Sequence, residues 1–122
     1  MSLTYTKDLS EPWFSLIKLK CKIVEGRLNK GVFEKMRIGD VIIFTNNELG
    51  FERRIKVEIL NISHYDTFRS YLETETLERC LPGIDSMEDG LNVYYKYYTR
   101  VDEEQCKIKS LTLSCVLSLQ ES

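Results

Sequence analysis

Lys20-Cys21-Lys22-Ile23-Val24-Glu25-Gly26-Arg27 sets two cations and a carboxylate, Lys22, Glu25 and Arg27, within six residues. The segment lies where an amphipathic helical pattern hands over to a strand. Ser10-Glu11-Pro12 reads as a helix start, with Ser10 as the capping hydroxyl and proline in the first turn, and Trp13, Phe14, Ile17 and Cys21 recur at helical spacing over residues 10–20. A strand over 21–28 follows and is broken by Asn29-Lys30-Gly31. If the three charged heads converge on a cleft, they offer two donors and one acceptor, a set suited to the edge of a nucleobase or the phosphate beside it.

Outward from this segment the strand signals dominate. A helical turn around Phe33 to Met36 precedes the turn at Gly39-Asp40. Val41-Ile42-Ile43-Phe44 is then a continuous apolar run of strand length, which implies burial on both faces. From Arg53 the apolar positions alternate as Ile55, Val57 and Ile59, then slip phase to Leu60 and Ile62. Such a slip is the signature of a β-bulge, and bulges bend strands round the corners of small barrels. The last strand alternates Leu111, Leu113, Cys115, Leu117 and Leu119 with Thr112, Ser114, Val116, Ser118 and Gln120, giving one wet face. Two helices are expected between these strands, over 66–79 and 86–98, separated by Leu81-Pro82-Gly83. Ser86 and Asp89 form a capping pair for the second.

The chain of 122 residues is one domain in size, 1–122. No apolar run approaches the roughly 20 residues that a membrane span requires. The start Met1-Ser2-Leu3-Thr4 lacks the pattern of a secretory signal, so an intracellular site, cytoplasmic or nuclear, is expected. Cys21, Cys80, Cys106 and Cys115 are widely spaced and His64 is the one histidine, which argues for reduced thiols and against a disulfide framework or zinc. Neither a metal nor a cofactor is expected.

Net charge is −2 but unevenly spread. Residues 18–37 hold seven Lys or Arg against Glu25 and Glu34, whereas 73–89 hold six acids against Arg79. A basic side and an acidic side result, which favours a small site over a long phosphate track.

With these anchors in place, the chain resembles the ASCH domains of the PUA-like superfamily, whose hallmark is G-x-K-x-x-E-x-R. Lys22, Glu25 and Arg27 match, while Lys20 stands at the glycine position. Glu11-Pro12-Trp13-Phe14, Arg37-Ile38-Gly39-Asp40-Val41-Ile42, Leu81-Pro82-Gly83 and Tyr94-Tyr95-Lys96-Tyr97-Tyr98 extend the likeness over residues 9–116. The resemblance implies an α+β fold, a small PUA-like β-barrel of about five to six strands flanked by helices. It also implies a cleft floored by the motif that binds RNA or a modified nucleoside. One bacterial branch looks like an amidohydrolase that deacetylates N4-acetylcytidine, using the motif lysine, a threonine at the position of Glu25 and a further glutamate. On that reading Lys22 and Glu25 are catalytic, with Glu25 a departure. Other members are described as nucleases or parts of transcription coactivators, so the fold does not fix the chemistry.

In a regular strand Glu25 and Arg27 share a face and Lys22 points to the other unless the helix-strand junction turns it. An ordinary surface pair of Glu25 and Arg27 with Lys22 solvated is the plain alternative to a cleft. The ligand-binding set expected from the family is Lys22, Glu25, Arg27 and Trp13, with Trp13 either core or cleft wall. The tyrosines of 94–98 offer faces for base stacking, but the helical stripe reads Tyr94, Tyr95 and Tyr98 as core or rim packing and leaves Tyr97 exposed. Glu73, Glu75 and Glu78 read as a solvated helix face, though one of them could supply the extra carboxylate of a hydrolase. His64 reads as a structural or solvated residue. A monomer is expected, and a third reading makes the barrel a scaffold whose acidic window meets a basic protein partner.

Overall fold

A long bent strand organises the molecule. The computed structural model describes residues 1–118, in the order β1 (Thr4–Asp8), α1 (Trp13–Lys18), β2 (Val24–Leu28), α2 (Val32–Lys35), β3 (Val41–Asn46), β4 (Arg53–Tyr65), α3 (Phe68–Glu75), α4 (Leu77–Cys80), α5 (Met87–Tyr95), α6 (Arg100–Cys106) and β5 (Ile108–Ser118). The sheet order is β1-β3-β4-β5-β2, with β1 parallel to β3 and the other pairs antiparallel. This is an α+β half-barrel of five strands with six helices among the described residues.

The phase slip read from β4 is a bulge. Pairing jumps from Ile59↔Leu113 to Asn61↔Thr112, skipping Leu60, and a second register shift lies between Lys56 and Val57. Ile55, Val57 and Ile59 are fully buried before the slip, whereas the skipped Leu60 is exposed. The bends let one sheet serve two cores. Its concave side closes over Phe14, Ile17, Phe33, Ile42, Phe44, Ile55 and Leu111, and the second core packs Val24, Leu28 and Ile108 against Phe68, Tyr71, Leu72 and Tyr94 of the helices. Trp13 touches both.

Several elements differ from expectation for identifiable reasons. In β3, Ile42 and Phe44 are buried but Val41 and Ile43 only half-buried, because the helices cover the β2–β5 side of the sheet and leave this face partly open. The helix expected over 66–79 is divided at Thr76, which sits at φ +76°, into α3 and α4. The helix expected over 86–98 ends at Tyr95, since Thr99 starts α6 with its own capping box to Asp102. Ser86 does cap α5, accepting from the Asp89 N–H. Ser10 does not cap α1. The Glu11 carboxylate reaches over instead, accepting from the Ser15 N–H at 2.9 Å and from Arg53 at 2.8 Å. In β5, which starts at Ile108, Leu111 and Leu113 are buried as expected, while Leu119 and the polar tail lie outside the described residues. Among the described residues no helix is long and apolar enough to cross a membrane.

Candidate functional site

The turn between α1 and β2 builds the site. Helix α1 is capped at Leu19, Lys20 takes φ +64°, and the N–H groups of Cys21 and Lys22 both return to the Leu16 carbonyl. The glycine of the family motif suits such a left-handed position, and here a lysine adopts it. This turn keeps Lys22 out of the strand, which begins only at Val24 rather than at residue 21. Strand alternation therefore does not govern Lys22, and its side chain swings to the face of Glu25 and Arg27.

Lys22 is 2 % exposed, and its Nζ donates to the carbonyls of Val24 at 2.6 Å and Cys80 at 2.5 Å while pairing with Glu25 Oε1 at 3.1 Å. An ammonium has three donors, and these three acceptors use them all. The second oxygen of Glu25 accepts from Arg27 Nε at 2.6 Å. Burial alone would push the Glu25 carboxyl up, but Lys22 and Arg27 outweigh it and hold the group below the usual carboxylate range. For Arg27 burial works downward, and the Glu25 charge more than offsets it. The expected cluster is thus a buried triad and not a surface pair.

Around the triad lies a cleft of about 280 Å³, near the lower end of ligand pockets, lined by Asp8, Leu9, Ser10, Trp13, Lys22, Glu25, Gly26, Arg27, Leu81, Val93, Tyr94, Tyr97 and Tyr98. Trp13 is half-buried in its wall, with Lys22 Nζ 5.8 Å from its ring centre. The Arg27 guanidinium stands 4.8 Å from the Phe33 ring centre. Tyr98 stacks on Phe68, with ring centres 5.7 Å apart. Burial raises the Tyr98 phenol, and Arg27 pulls it partly back. Tyr94 is buried and hydrogen-bonded to Tyr71, and its burial pushes the phenol far up. Gly26 passes so close to Tyr71 that a Cβ there would run into the ring.

All four residues expected to bind ligand, Lys22, Glu25, Arg27 and Trp13, line this one cleft. The tyrosine stripe is packed as expected at Tyr94, Tyr95 and Tyr98, and Tyr97 is 67 % exposed. Tyr94, Tyr97 and Tyr98 also stand in the cleft wall, so packing and a place at the cleft coincide at Tyr94 and Tyr98. Asp8, from β1, and Ser10, read from the sequence only as a helix cap, also line the cleft.

His64 is exposed and outside the lining. Glu73 and Glu78 are solvated, but Glu75 is buried and accepts from the hydroxyls of Tyr65 and Ser110, so the helix-face reading fails for it. None of the three lines the cleft. Among the described residues no group of three or more His, Cys, Asp or Glu side chains is gathered as a metal site.

The family model described as the ASCH domain matches residues 8–113. The chain belongs to the ASCH domain family. Two solved structures show the same ASCH fold over nearly their whole length. The crystal structure of hypothetical protein PH0355 is 30% identical with a TM-score of 0.83, covering 93% of this chain and 99% of that one. The solution NMR structure of protein PF0455 from Pyrococcus furiosus is 34% identical with a TM-score of 0.75, covering 93% and 97%. An ASCH protein from Zymomonas mobilis, ZmASCH, shares the fold at 13% identity, with a TM-score of 0.64 over 93% of this chain and 68% of that one. No curated protein matches the sequence.

Proposed function

We propose that this ASCH domain binds RNA or a modified nucleobase, inserting a base into the cleft over Lys22, Glu25 and Arg27. The observation that carries the reading is a charged triad buried at the floor of an aromatic-walled cleft. The family link to RNA supports it. Arg27 is the least buried of the three side chains, at 19 % against 1 % for Lys22 and 7 % for Glu25. Only its Nε bonds Glu25, which leaves the terminal nitrogens of this cleft-lining residue as donors for a ligand. Glu25 supplies an acceptor for an exocyclic amine. Lys22 acts through Glu25, which it fixes in place.

Amidohydrolysis has less support. The Lys22 ammonium is spent on three fixed acceptors, leaving no lone pair for attack, and Glu25 is spanned by two cations. The test is fluorescence anisotropy with labelled single-stranded RNA and competition by ribonucleosides, with Arg27→Ala beside the native chain. Loss of one base-edge contact of this kind corresponds to about 10- to 100-fold weaker binding. Unchanged affinity in Arg27→Ala would place the ligand elsewhere. A mass-resolved turnover assay with N4-acetylcytidine is expected to show no cytidine, and release abolished in Lys22→Ala would replace binding by hydrolysis.

A further inference from the structure

We infer that the cleft takes a single uncharged nucleobase, held by stacking on Tyr97 and by its edge on Arg27 and Glu25, and keeps phosphate out; this rests on the nucleobase reading above.

The charges of the lining carry the exclusion. Asp8, Lys22, Glu25 and Arg27 are the charged residues among those that line the cleft, two of each sign. Glu25 lies between the two cations and offsets their charge, so the floor of the cleft carries no strong net positive field for an anion. Phosphate sites need the reverse, unspent cations or a run of backbone N–H groups aimed at the ligand. Helix orientation adds to this. Val93 and Tyr94 of the cleft wall lie in the last turn of α5, and Tyr97 and Tyr98 follow it directly, so the helix presents its C-terminal end to the cleft. That end carries partial negative charge and repels an anion. Asp8 at the rim is exposed and acts in the same direction.

The aromatic residues supply what charge does not. Tyr97 is 67 % exposed at the cleft, a large ring left in water beside an otherwise apolar wall of Leu9, Leu81 and Val93. Such a ring gains area when a planar partner covers it, and stacking is indifferent to charge. A neutral ring with adjacent donor and acceptor atoms matches both the walls and the floor. An RNA chain would then present one splayed base to the cleft with its backbone outside.

The test uses the full chain and the fluorescence of Trp13, the single tryptophan, which stands in the cleft wall. The four ribonucleosides and N4-acetylcytidine are titrated in parallel with their 5′-monophosphates, with absorbance-matched controls. The best nucleoside is expected to bind at least as tightly as its monophosphate. Tyr97→Ala is expected to weaken it by about ten-fold, with Tyr97→Phe within about two-fold of the native chain. Tighter binding of the monophosphate, or an unchanged affinity in Tyr97→Ala, overturns the inference while leaving a base-binding cleft. Binding by neither series removes the nucleobase reading itself and the inference with it. Tyr97 is exposed, so thermal melts of the variants are expected to match the native chain, and a shared melting point certifies each comparison.

Discussion

Replacing Glu25 by Gln keeps the shape of the side chain and removes the one anion between Lys22 and Arg27. In the native chain its two oxygens lie 3.1 Å from the lysine Nζ and 2.6 Å from the arginine Nε, with the carboxylate and the ammonium almost fully buried. Breaking a buried pair by removing one partner costs about 3–5 kcal/mol, because the remaining charges stay desolvated. For a chain of this size that corresponds to a drop in Tm of roughly 10–20 °C. Urea denaturation at pH 7 measures the difference directly from the shift in midpoint. The pH dependence supplies a second check. The folded-state Glu25 carboxyl lies below its ordinary value, so its stabilisation is full above the unfolded carboxyl pKa of about 4.3 and is lost as pH falls through the folded value. The gap between native chain and Glu25→Gln is therefore expected to be constant from pH 7 to about 5 and to shrink below about 4. A cost under about 1 kcal/mol at pH 7, the range of exposed pairs, would refute the buried triad.

Two further outcomes follow from the surroundings of the triad. Gly26→Ala drives a Cβ into the buried Tyr71 ring, and overpacking of this kind is expected to cost about 1–3 kcal/mol in urea melts and to distort the cleft between Glu25 and Arg27. A native-like melt would mean that the ring can yield. Cys80 is buried, its thiol pushed up to about 11 by burial, whereas Cys21 is exposed. Alkylation at pH 8 followed by peptide mass mapping is expected to label Cys21 and spare Cys80 until the protein is denatured, and equal labelling would contradict the burial.

The parts of the fold that were legible in the sequence are those written as apolar patterns. The slip at Leu60, the alternation of Leu111 and Leu113 and the buried face of α5 follow from which residues must avoid water. Strand β1 was not visible for the opposite reason. Of Thr4 to Asp8 only Tyr5 and Lys7 are half-buried, and the strand is held by parallel pairing to β3 and by the Asp40 carboxylate accepting from the Leu3 N–H. Helix α6 likewise buries only Glu103, whose carboxylate accepts from the Phe68 N–H and the Tyr95 hydroxyl. Such long-range polar ties leave no periodicity.

At the site, the motif named Lys22, Glu25 and Arg27, but alternation alone left the face of Lys22 to the geometry of the helix-strand junction. The left-handed Lys20 and the double return of N–H groups to Leu16 turn it to the face of Glu25 and Arg27, and neither is written in hydropathy. The walls were half legible. Trp13 was an open alternative, and the tyrosine cluster was noticed, but a helical stripe cannot tell packing from a cleft wall when Tyr94, Tyr97 and Tyr98 straddle the end of a helix.

The most direct test of base binding in this cleft is a two-dimensional NMR titration of the ¹⁵N-labelled chain with a short single-stranded RNA. Shifts are expected to concentrate at the Trp13 indole N–H and at the backbone amides of Gly26, Arg27, Tyr97 and Tyr98. Shifts confined to the acidic window at 73–89, or none at saturating RNA, would contradict it.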